Sequence, residues 1–229
     1  GTITPSGNKN AALPMLCATV LTDEPVTLTN VPDISDINKL VGLLATLGAK
    51  INWKKEDKVL TIDNSNLTLD RFDGQVPFGM RASLLLLSPL LSRFKKLIIE
   101  NKVGGCTLGI RDFDPYIHML QDLGGSVLKE NGKLTLSIDE SFKPNLVWPN
   151  YASVTSTENI IMAAVLAEGE TTIMNAACEP HVQDLCNMLN DMGASIVGIG
   201  SSKLIITGIS KLHGTNAHIS SDHSCHLAQ

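Results

Sequence analysis

The chain contains 229 residues, of which 43% are hydrophobic and 18% are charged. This length and balance are typical of a folded globular domain with a substantial core, and they exclude a disordered or coiled-coil chain. The net charge of −5 argues against a broad surface for nucleic acid or an anionic membrane. It leaves room for a local cationic pocket that binds a small phosphorylated ligand.

Targeting signals are missing from the sequence as given. It has no uninterrupted run of about 18 apolar residues, and residues 1–5 lack the basic and apolar regions of a signal peptide. We therefore expect a soluble cytoplasmic protein. The five cysteines are an odd number without a regular framework, so reduced thiols are expected.

The first predicted unit, residues 1–70, contains a helix, a strand, a second helix and a strand pair. The second helix has apolar side chains three or four residues apart and ends at Gly48, which suits a left-handed cap. Lys9 and Asn10 begin the first helix, where free N–H groups and the helix dipole favour an anion. A plain N-cap beside a solvated lysine is the alternative. These elements are predicted at residues 10–21, 26–30, 37–47, 50–53 and 59–62.

The second predicted unit, residues 71–145, repeats this order with one addition. Its first helix is predicted at 81–94. Arg81 lies in the first turn, where its planar guanidinium group could bind phosphate oxygens. The alternative is that Arg81 forms a surface salt bridge. The interval between the strand-ending asparagine and the helix-ending glycine is 18 residues in the other two units, but 23 from Asn101 to Gly124. The repeat itself does not require these extra residues, so they are a candidate for function.

The five additional residues fall within the segment 104–111, in which three glycines surround Cys106. This composition predicts a loop that can carry the thiol over a bound substrate, where it would act as a proton donor or nucleophile. Arg111 or Lys9 would lower the pKa of the thiol if they approach it. The alternative is an ordinary buried cysteine, which fits Cys17 and Cys186 on apolar helix faces better.

The third predicted unit, residues 146–212, has helices at 157–166 and before Gly193. No unit can cover its own apolar helix face, so the three are expected to bury their helices against one another. This predicts an α/β fold, a threefold pseudo-symmetric repeat lobe with helices inside and sheets outside, over residues 1–215. Four histidines follow Leu212 with spacings of no familiar zinc pattern, so no metal site is predicted.

Five motifs in order resemble the UDP-N-acetylglucosamine enolpyruvyl transferase (1-carboxyvinyltransferase) family, part of the EPSP synthase superfamily. The combination is specific, although each motif alone would be weak. The motifs are Gly7-Asn8-Lys9-Asn10-Ala11-Ala12-Leu13-Pro14, Met80-Arg81-Ala82-Ser83, Gly104-Gly105-Cys106-Thr107-Leu108-Gly109, Ser153-Val154-Thr155 with Thr157-Glu158-Asn159, and Asn175-Ala176-Ala177-Cys178-Glu179-Pro180.

The resemblance implies an inside-out α/β barrel of two such lobes that close on substrate, with residues 216–229 crossing to a second lobe. The implied reaction transfers the enolpyruvyl group from phosphoenolpyruvate to the 3-hydroxyl of UDP-N-acetylglucosamine and releases phosphate, the first committed step of peptidoglycan synthesis. The implied partners are these two substrates and the second lobe, with no nucleic acid, membrane, metal or organic cofactor. A lobe alone is expected to be inactive.

The resemblance also assigns roles to individual residues. Cys106 would protonate the enolpyruvyl methylene carbon and react with fosfomycin. The expected catalytic residues are thus Cys106, Lys9 and Arg111, and the expected substrate-binding residues are Lys9, Asn10, Arg81, Arg111, Asp114, Ser153 and Val154.

Three departures from the family pattern bear on substrate recognition. Asp112-Phe113-Asp114-Pro115 replaces a usual Pro-Val-Asp-Leu, and Tyr151 stands where a nucleotide-binding lysine is usual. Residues 221–225 lack the family's glutamate. Two other functions therefore remain open: a non-catalytic nucleotide-sugar-binding or scaffold module, and an enolpyruvyl transferase with a different acceptor.

Overall fold

A computed structural model describes residues 5–76, 81–100 and 114–222 of the chain. In the first unit, α1 is followed directly by a 3₁₀ turn, Thr19–Leu21. A short 3₁₀ turn, Asp70–Phe72, ends the unit. The helices and strands of this unit are α1 Lys9–Ala18, β1 Val26–Thr29, α2 Ser35–Thr46, β2 Lys50–Lys54 and β3 Val59–Asp63.

The second and third units repeat this order. The first helix of the second unit begins as the 3₁₀ helix Arg81–Leu86 and continues as an α-helix. The second unit contains α3 Leu87–Phe94, β4 Lys96–Glu100, α4 Asp114–Asp122, β5 Ser126–Glu130, β6 Lys133–Ser137 and β7 Leu146–Val147. The third contains α5 Val154–Ala164, β8 Gly169–Met174, α6 Pro180–Asp191, β9 Ser195–Val197, β10 Lys203–Gly208 and β11 Asn216–His218.

The described strands form three sheets, with strand orders β11-β1-β3-β2, β4-β6-β5 and β7-β8-β10-β9. Each sheet receives a parallel partner from the end of another unit. β11 pairs with β1, β7 pairs with β8, and Gln75 bridges to Ile98 of β4. The end of each unit thus joins the sheet of the next, and the end of the third returns to the first. The three units form a closed ring.

The helices that open the units make up the centre of the lobe. Every residue from Ala11 to Ala18 in α1 and from Ser156 to Ala164 in α5 is buried. A helix that is apolar on all sides belongs in the interior of a protein. The strands alternate in burial, as in β6, so one face of each sheet covers this core and the other faces outward. The predicted fold, with helices inside and sheets outside, is confirmed.

The glycine and asparagine residues that the sequence places at turns have the backbone conformations that such turns require. Gly48, Gly124 and Gly193 have φ values of 110°, 80° and 100°, so each ends its helix in the left-handed region. Asn131 and Gly132, between β5 and β6, have φ values of 50° and 74°, as a tight hairpin turn requires. The three glycines mark where the second helix of each unit ends. The Asn131-Gly132 turn joins the two strands of the pair in the second unit.

Most element boundaries lie within a few residues of the prediction, and two differences have a clear structural reason. α5 begins at Val154, three residues before the predicted start, because the Ser153 side chain caps it. Residues 216–218, which the resemblance placed in a crossover, form β11 of the first sheet. The division into a lobe and a crossover stays a prediction. No helix within the described ranges is long and apolar enough to cross a membrane.

Candidate functional site

The predicted site residues fall into two groups. Lys9, Asn10, Ser153 and Val154 belong to the part of the chain that the structure describes. Cys106 and Arg111 lie outside the described residues. Arg81 begins a 3₁₀ helix and Asp114 begins α4, but the description does not extend to their side chains.

The C-terminal ends of the three central helices meet at one cavity of about 380 Å³. Its lining includes Leu21 after α1, Arg93 near the end of α3, and Leu166 after α5. The Arg93 guanidinium donates to Val20 O at 3.2 Å and to Asn64 O at 2.8 Å, and it also pairs with Asp23. Helix C-termini have unpaired carbonyl oxygens and the negative end of the helix dipole, so a cation that accepts no hydrogen bonds and donates to these oxygens is expected there.

Because these ends coincide, the opposite ends of the three helices must also lie together. The helical spans 9–21, 81–94 and 154–166 have similar lengths of roughly 20 Å at about 1.5 Å per residue, and the span 81–94 packs against both of the others. The backbone at Lys9, Arg81 and Val154 is therefore at one end of the lobe. Three helix N-termini at one end favour negative charge in a bound ligand.

At the start of α1, the cap and the cation are supplied by different residues. Asn8 is 4% exposed, and its side chain accepts a hydrogen bond from the Asn10 amide at 2.7 Å. The Asn8 amide donates to Ser220 O at 2.8 Å, which holds this turn against the chain after β11. Lys9 extends into solvent, where Nζ lies 3.4 Å from Asp36 Oδ2. The ammonium group is accessible to an anionic ligand.

At the start of α5, Ser153 has two roles. Its hydroxyl accepts a hydrogen bond from the Ser156 amide at 3.3 Å and so caps the helix. Ser153 also lines a second cavity, of about 410 Å³, between α4 and the segment that precedes α5. Val154 is partly buried beside it. The cavity is lined by His118, Met119, Asp122, Val147, Trp148, Pro149, Asn150, Tyr151, Ser153, Ser156 and Ile160.

Thr157, Glu158 and Asn159 of the same motif are buried rather than presented to a ligand. Asn159 is fully buried; its side chain accepts from the Ser88 amide at 3.3 Å and donates to Leu84 O at 3.2 Å. The Thr157 hydroxyl accepts from the Ala177 amide at 3.0 Å. These bonds connect α5 to the second unit and to the segment before α6. The sequence analysis gave Thr157 and Asn159 no role beyond the motif.

Glu158 differs from these paired residues, because no salt bridge to its buried carboxyl is found among the described residues. The side chain is 2% exposed, and Oε1 has no hydrogen-bond partner in the described structure. Burial raises the pKa of this carboxyl well above its ordinary value, and the charge of Glu179 adds to the effect. The group is therefore protonated over a wider range of pH than an exposed glutamate.

The buried cysteines are not candidates for chemistry. Burial raises the pKa of Cys186 to about 12, and the pKa of Cys17 is raised for the same reason, with a smaller contribution from Glu158 in both. Both remain thiols at neutral pH, as expected for ordinary buried cysteines. Cys178, in contrast, is exposed.

Sequence reasoning missed two features of this end of the lobe. Asp36, the partner of Lys9, was treated only as part of the repeat. Trp148 was not considered, and Tyr151 was noted only as a departure. A possible signal was the sequence Trp148-Pro149-Asn150-Tyr151, which places two aromatic residues in a polar turn of a chain with only 4% aromatic residues.

The geometry defines a three-unit α/β lobe with an anion-favouring end, and comparison shows where this fold occurs. The enolpyruvyl transferase NikO from Streptomyces tendae matches 97% of the chain with a TM-score of 0.82 and 20% identity, over 52% of its own length. EPSP synthase from Acinetobacter baumannii matches 98% with a TM-score of 0.75 and 20% identity, over 50% of its length. The fold is that of one lobe of these proteins.

The chain belongs to the EPSP synthase (3-phosphoshikimate 1-carboxyvinyltransferase) family, whose model matches residues 1–226. Among curated proteins, UDP-N-acetylglucosamine 1-carboxyvinyltransferases are similar over 97% of the chain. The identity is 46% for the protein of Borrelia garinii and 47% for that of Borreliella burgdorferi, and the match covers 51% of each. The Acinetobacter baylyi protein is 41% identical. The chain thus spans about half the length of these relatives.

Proposed function

We propose that this chain is the nucleotide-binding and cysteine-bearing lobe of a UDP-N-acetylglucosamine enolpyruvyl transferase. The complete protein transfers the enolpyruvyl group of phosphoenolpyruvate to the 3-hydroxyl of the sugar nucleotide and releases phosphate. The structural observation that supports this proposal is the common end of three helices, which begin near Lys9, Arg81 and Val154. The names of relatives more than 40% identical support the choice of substrates.

Both proposed substrates are anions, so binding them together requires convergent positive charge. Lys9 supplies an accessible ammonium group, and Arg81 and Arg111 are the proposed phosphate-binding cations. The helix N-termini add backbone dipoles of the same sign. Asn10, Ser153, Val154 and Asp114 are proposed to contact the sugar nucleotide. These roles are carried over from the family motifs.

The proposed reaction is an addition followed by an elimination. A base takes the proton of the sugar hydroxyl as the hydroxyl oxygen bonds to C2 of phosphoenolpyruvate, while Cys106 donates a proton to the C3 methylene carbon. A base then removes a proton from C3, the bond from C2 to the phosphate oxygen breaks, and phosphate leaves. The C–O bond changes in these steps need only groups that donate or accept protons, so the proposal assigns no metal or organic cofactor. It places the protein in the cytoplasm, where a second lobe completes the closed site.

The direct test is phosphate release by the full polypeptide of this reading frame, with phosphoenolpyruvate and UDP-N-acetylglucosamine. Cys106→Ser should lower kcat by about 100-fold or more, because a general acid typically contributes 10²- to 10⁴-fold. Cys178→Ser is the matched control, since it changes an exposed cysteine outside the proposed chemistry. An equal rate in wild type and Cys106→Ser would remove Cys106 from this role.

Fosfomycin gives a second readout of the same assignment. Alkylation should add one fosfomycin mass to the wild-type chain and to Cys178→Ser, but not to Cys106→Ser. Mass spectrometry of the tryptic peptide that contains residue 106 identifies the modified sulfur. Labelling at Cys178 instead would contradict the assignment.

An enolpyruvyl transferase with a different acceptor is the second candidate. It is favoured by Tyr151, which is 58% exposed at a cavity wall where the family pattern has a lysine. A panel of UDP-sugars in the phosphate-release assay separates the two candidates by kcat/KM. Binding of a UDP-sugar without phosphate release from any acceptor would instead support a non-catalytic module.

A further inference from the structure

The cavity at the C-terminal ends of the three central helices has no part in the proposed function. It lies at the opposite end of the lobe from Lys9 and Ser153, roughly 20 Å away along helices that rise about 1.5 Å per residue. Its volume of about 380 Å³ is within the range of about 300–1,000 Å³ that is usual for small-molecule sites. The cavity is therefore large enough for a ligand of its own.

All three units contribute to the wall of this cavity. The first unit contributes residues 20–23, the second contributes Pro89 and residues 92–93, and the third contributes Leu166 and residues 210–211. A ligand in the cavity would contact the three units at once. Because it would bind the folded lobe and not the unfolded chain, it would stabilise the folded state.

The carbonyl oxygens at this end of the helices already accept hydrogen bonds from protein groups. The Lys95 ammonium group donates to Ser92 O at the end of α3. The Arg93 guanidinium donates to Val20 O, which follows α1. Val165 O, at the end of α5, accepts from a backbone amide at 2.9 Å. These donors offset the negative ends of the helix dipoles, so the helix ends do not require a cationic ligand.

Groups that can donate hydrogen bonds remain available at the cavity. Lys211 is exposed, and no salt bridge to it is found in the described part of the chain. The buried Ser92 hydroxyl has no hydrogen-bond partner there either. A buried hydroxyl that stays unpaired costs free energy, so an acceptor on a ligand would be favourable. An ammonium group and a hydroxyl together favour a ligand with negatively charged oxygens.

Asp23 shows how a carboxylate binds at this cavity. Its Oδ1 accepts a hydrogen bond from Arg93 Nη2. The Asp23 side chain is 61% exposed, whereas that of Arg93 is 18% exposed and is also held by Val20 O and Asn64 O. The guanidinium is thus fixed, while the aspartate can move into solvent. The carboxylate of a ligand can therefore take the place of Asp23.

The remaining wall of the cavity is apolar. It consists of Val20, Leu21, Pro89 and Leu166, and the first two are buried members of the hydrophobic core. Apolar surface gains free energy when a ligand removes it from water. The wall therefore favours an anion that carries a hydrocarbon body over a bare inorganic anion.

We propose that this cavity is a second binding site of the lobe, for a small organic carboxylate with an apolar body. The carboxylate displaces Asp23 from Arg93 and pairs with Lys211, while the body packs against Val20 and Leu166. Because the three units meet at the cavity, the ligand is an effector that stabilises the lobe from the end opposite the helix N-termini. The proposal does not depend on which reaction the protein catalyses.

The test is a titration of the ¹⁵N-labelled 229-residue chain with benzoate, followed by amide chemical shifts. Benzoate should shift the signals of residues 20–23, 92–93 and 210–211 saturably. Benzamide has the same shape without the charge, and acetate has the charge without the ring. At constant ionic strength, each should bind about 5-fold more weakly than benzoate or weaker still.

Two variants test the assigned contacts. Asp23→Asn should strengthen benzoate binding severalfold, because it removes the competing carboxylate and leaves Arg93 in place. Lys211→Ala should weaken binding by about 2- to 5-fold, the range for an exposed charge pair. Glu24→Gln and Lys203→Ala are the matched controls, since they make the same charge changes at residues that do not line the cavity. Both controls should bind benzoate as wild type does.

The gain of affinity in Asp23→Asn distinguishes ligand binding from damage to the fold, which would not tighten binding. Saturable shifts at the cavity with this gain would support the proposal. Shifts confined to residues near Lys9, or equal affinity for benzoate and benzamide, would overturn it. Weaker benzoate binding by Asp23→Asn would also overturn it, because Asp23 would then shape the cavity instead of competing with the ligand.

Discussion

Lys9 Nζ lies 3.4 Å from Asp36 Oδ2, and this ion pair joins the start of α1 to the first turn of α2. A cation at a helix N-terminus is opposed by the helix dipole, whereas a carboxylate in the first turn is favoured by it. Asp36 therefore offsets the unfavourable position of Lys9. The side chains are 47% and 39% exposed, so the pair is easily rearranged when an anion arrives.

This arrangement predicts that Asp36 competes with an anionic substrate for Lys9. Asp36→Asn should strengthen the binding of phosphoenolpyruvate severalfold at low salt, with a smaller effect at high salt because the charges are solvent-exposed. The free energy of unfolding should change by no more than about 1 kcal/mol. Isothermal titration calorimetry at two salt concentrations measures the first effect, and urea denaturation measures the second.

Asp33→Asn is the control for that prediction. Asp33 pairs with Lys55 at 2.9 Å, is three residues from Asp36, and has similar exposure, so the substitution removes the same charge without touching Lys9. It should leave phosphoenolpyruvate affinity nearly unchanged. Equal strengthening by both substitutions would show a general charge effect and contradict a specific role for Asp36.

Glu158 predicts an unusual dependence of stability on pH. Its folded-state pKa is raised above the ordinary value of 4.5, so the folded state holds this proton more tightly than the unfolded state. The stabilisation is complete below about pH 4.5, and it is lost as pH rises toward the folded-state pKa, by up to about 1.4 kcal/mol per pH unit. Glu158→Gln removes this loss.

The expected result is that Glu158→Gln becomes increasingly more stable than wild type as pH rises from about 5 to 8. Urea denaturation at several pH values measures the difference in free energy of unfolding. Glu168→Gln, at an exposed glutamate, should show no such trend. A constant difference between Glu158→Gln and wild type across this range would mean that the carboxyl is already ionised in the folded state.

Asn159 is predicted to be essential for packing the second and third units together. Asn159→Ala removes two buried hydrogen bonds, one from the Ser88 amide and one to Leu84 O, which should lower the free energy of unfolding by about 2–4 kcal/mol. Asn38→Ala is the matched control, because Asn38 also binds through both side-chain groups but is solvent-accessible. It should cost less than about 1 kcal/mol. Equal losses would contradict the role of burial.

The sequence predicted those parts of the fold that depend on nearby residues. The Asn131-Gly132 turn and the Gly48 helix end are determined by local backbone conformation, and both appear where expected. β11 could not be predicted in the same way, because three residues pair with β1 about 190 positions earlier and have no strong strand pattern of their own. The pairing of β11 with β1 depends on how the three units pack into a ring, which brings the end of the third unit beside the first.

The sequence predicted only those residues of the candidate site that belong to a recognisable motif. Lys9 and Ser153 were found because they begin helices in recognisable motifs. The ion pair of Lys9 with Asp36 joins different helices, and nothing in the spacing of these two residues indicates contact. The cavity beside Ser153 likewise depends on how α4 packs against the segment before α5, so its aromatic wall becomes evident only in three dimensions.

The closing strand leads to a last prediction, which concerns Asp184. Its Oδ2 accepts hydrogen bonds from the amide of Ser220, at 3.3 Å, and from the Ser220 hydroxyl, so α6 holds the chain just after β11. Asp184→Ala should lower the free energy of unfolding by about 1–3 kcal/mol. Hydrogen exchange should accelerate in residues 216–222 and in their neighbours on β1, while the sheet that contains β8 and β10 keeps its protection. Asp191→Ala, at the exposed end of the same helix, should not produce this local pattern. Uniform acceleration across all three sheets in Asp184→Ala would mean that the ring opens only with global unfolding, and that Asp184 does not separately secure its closure.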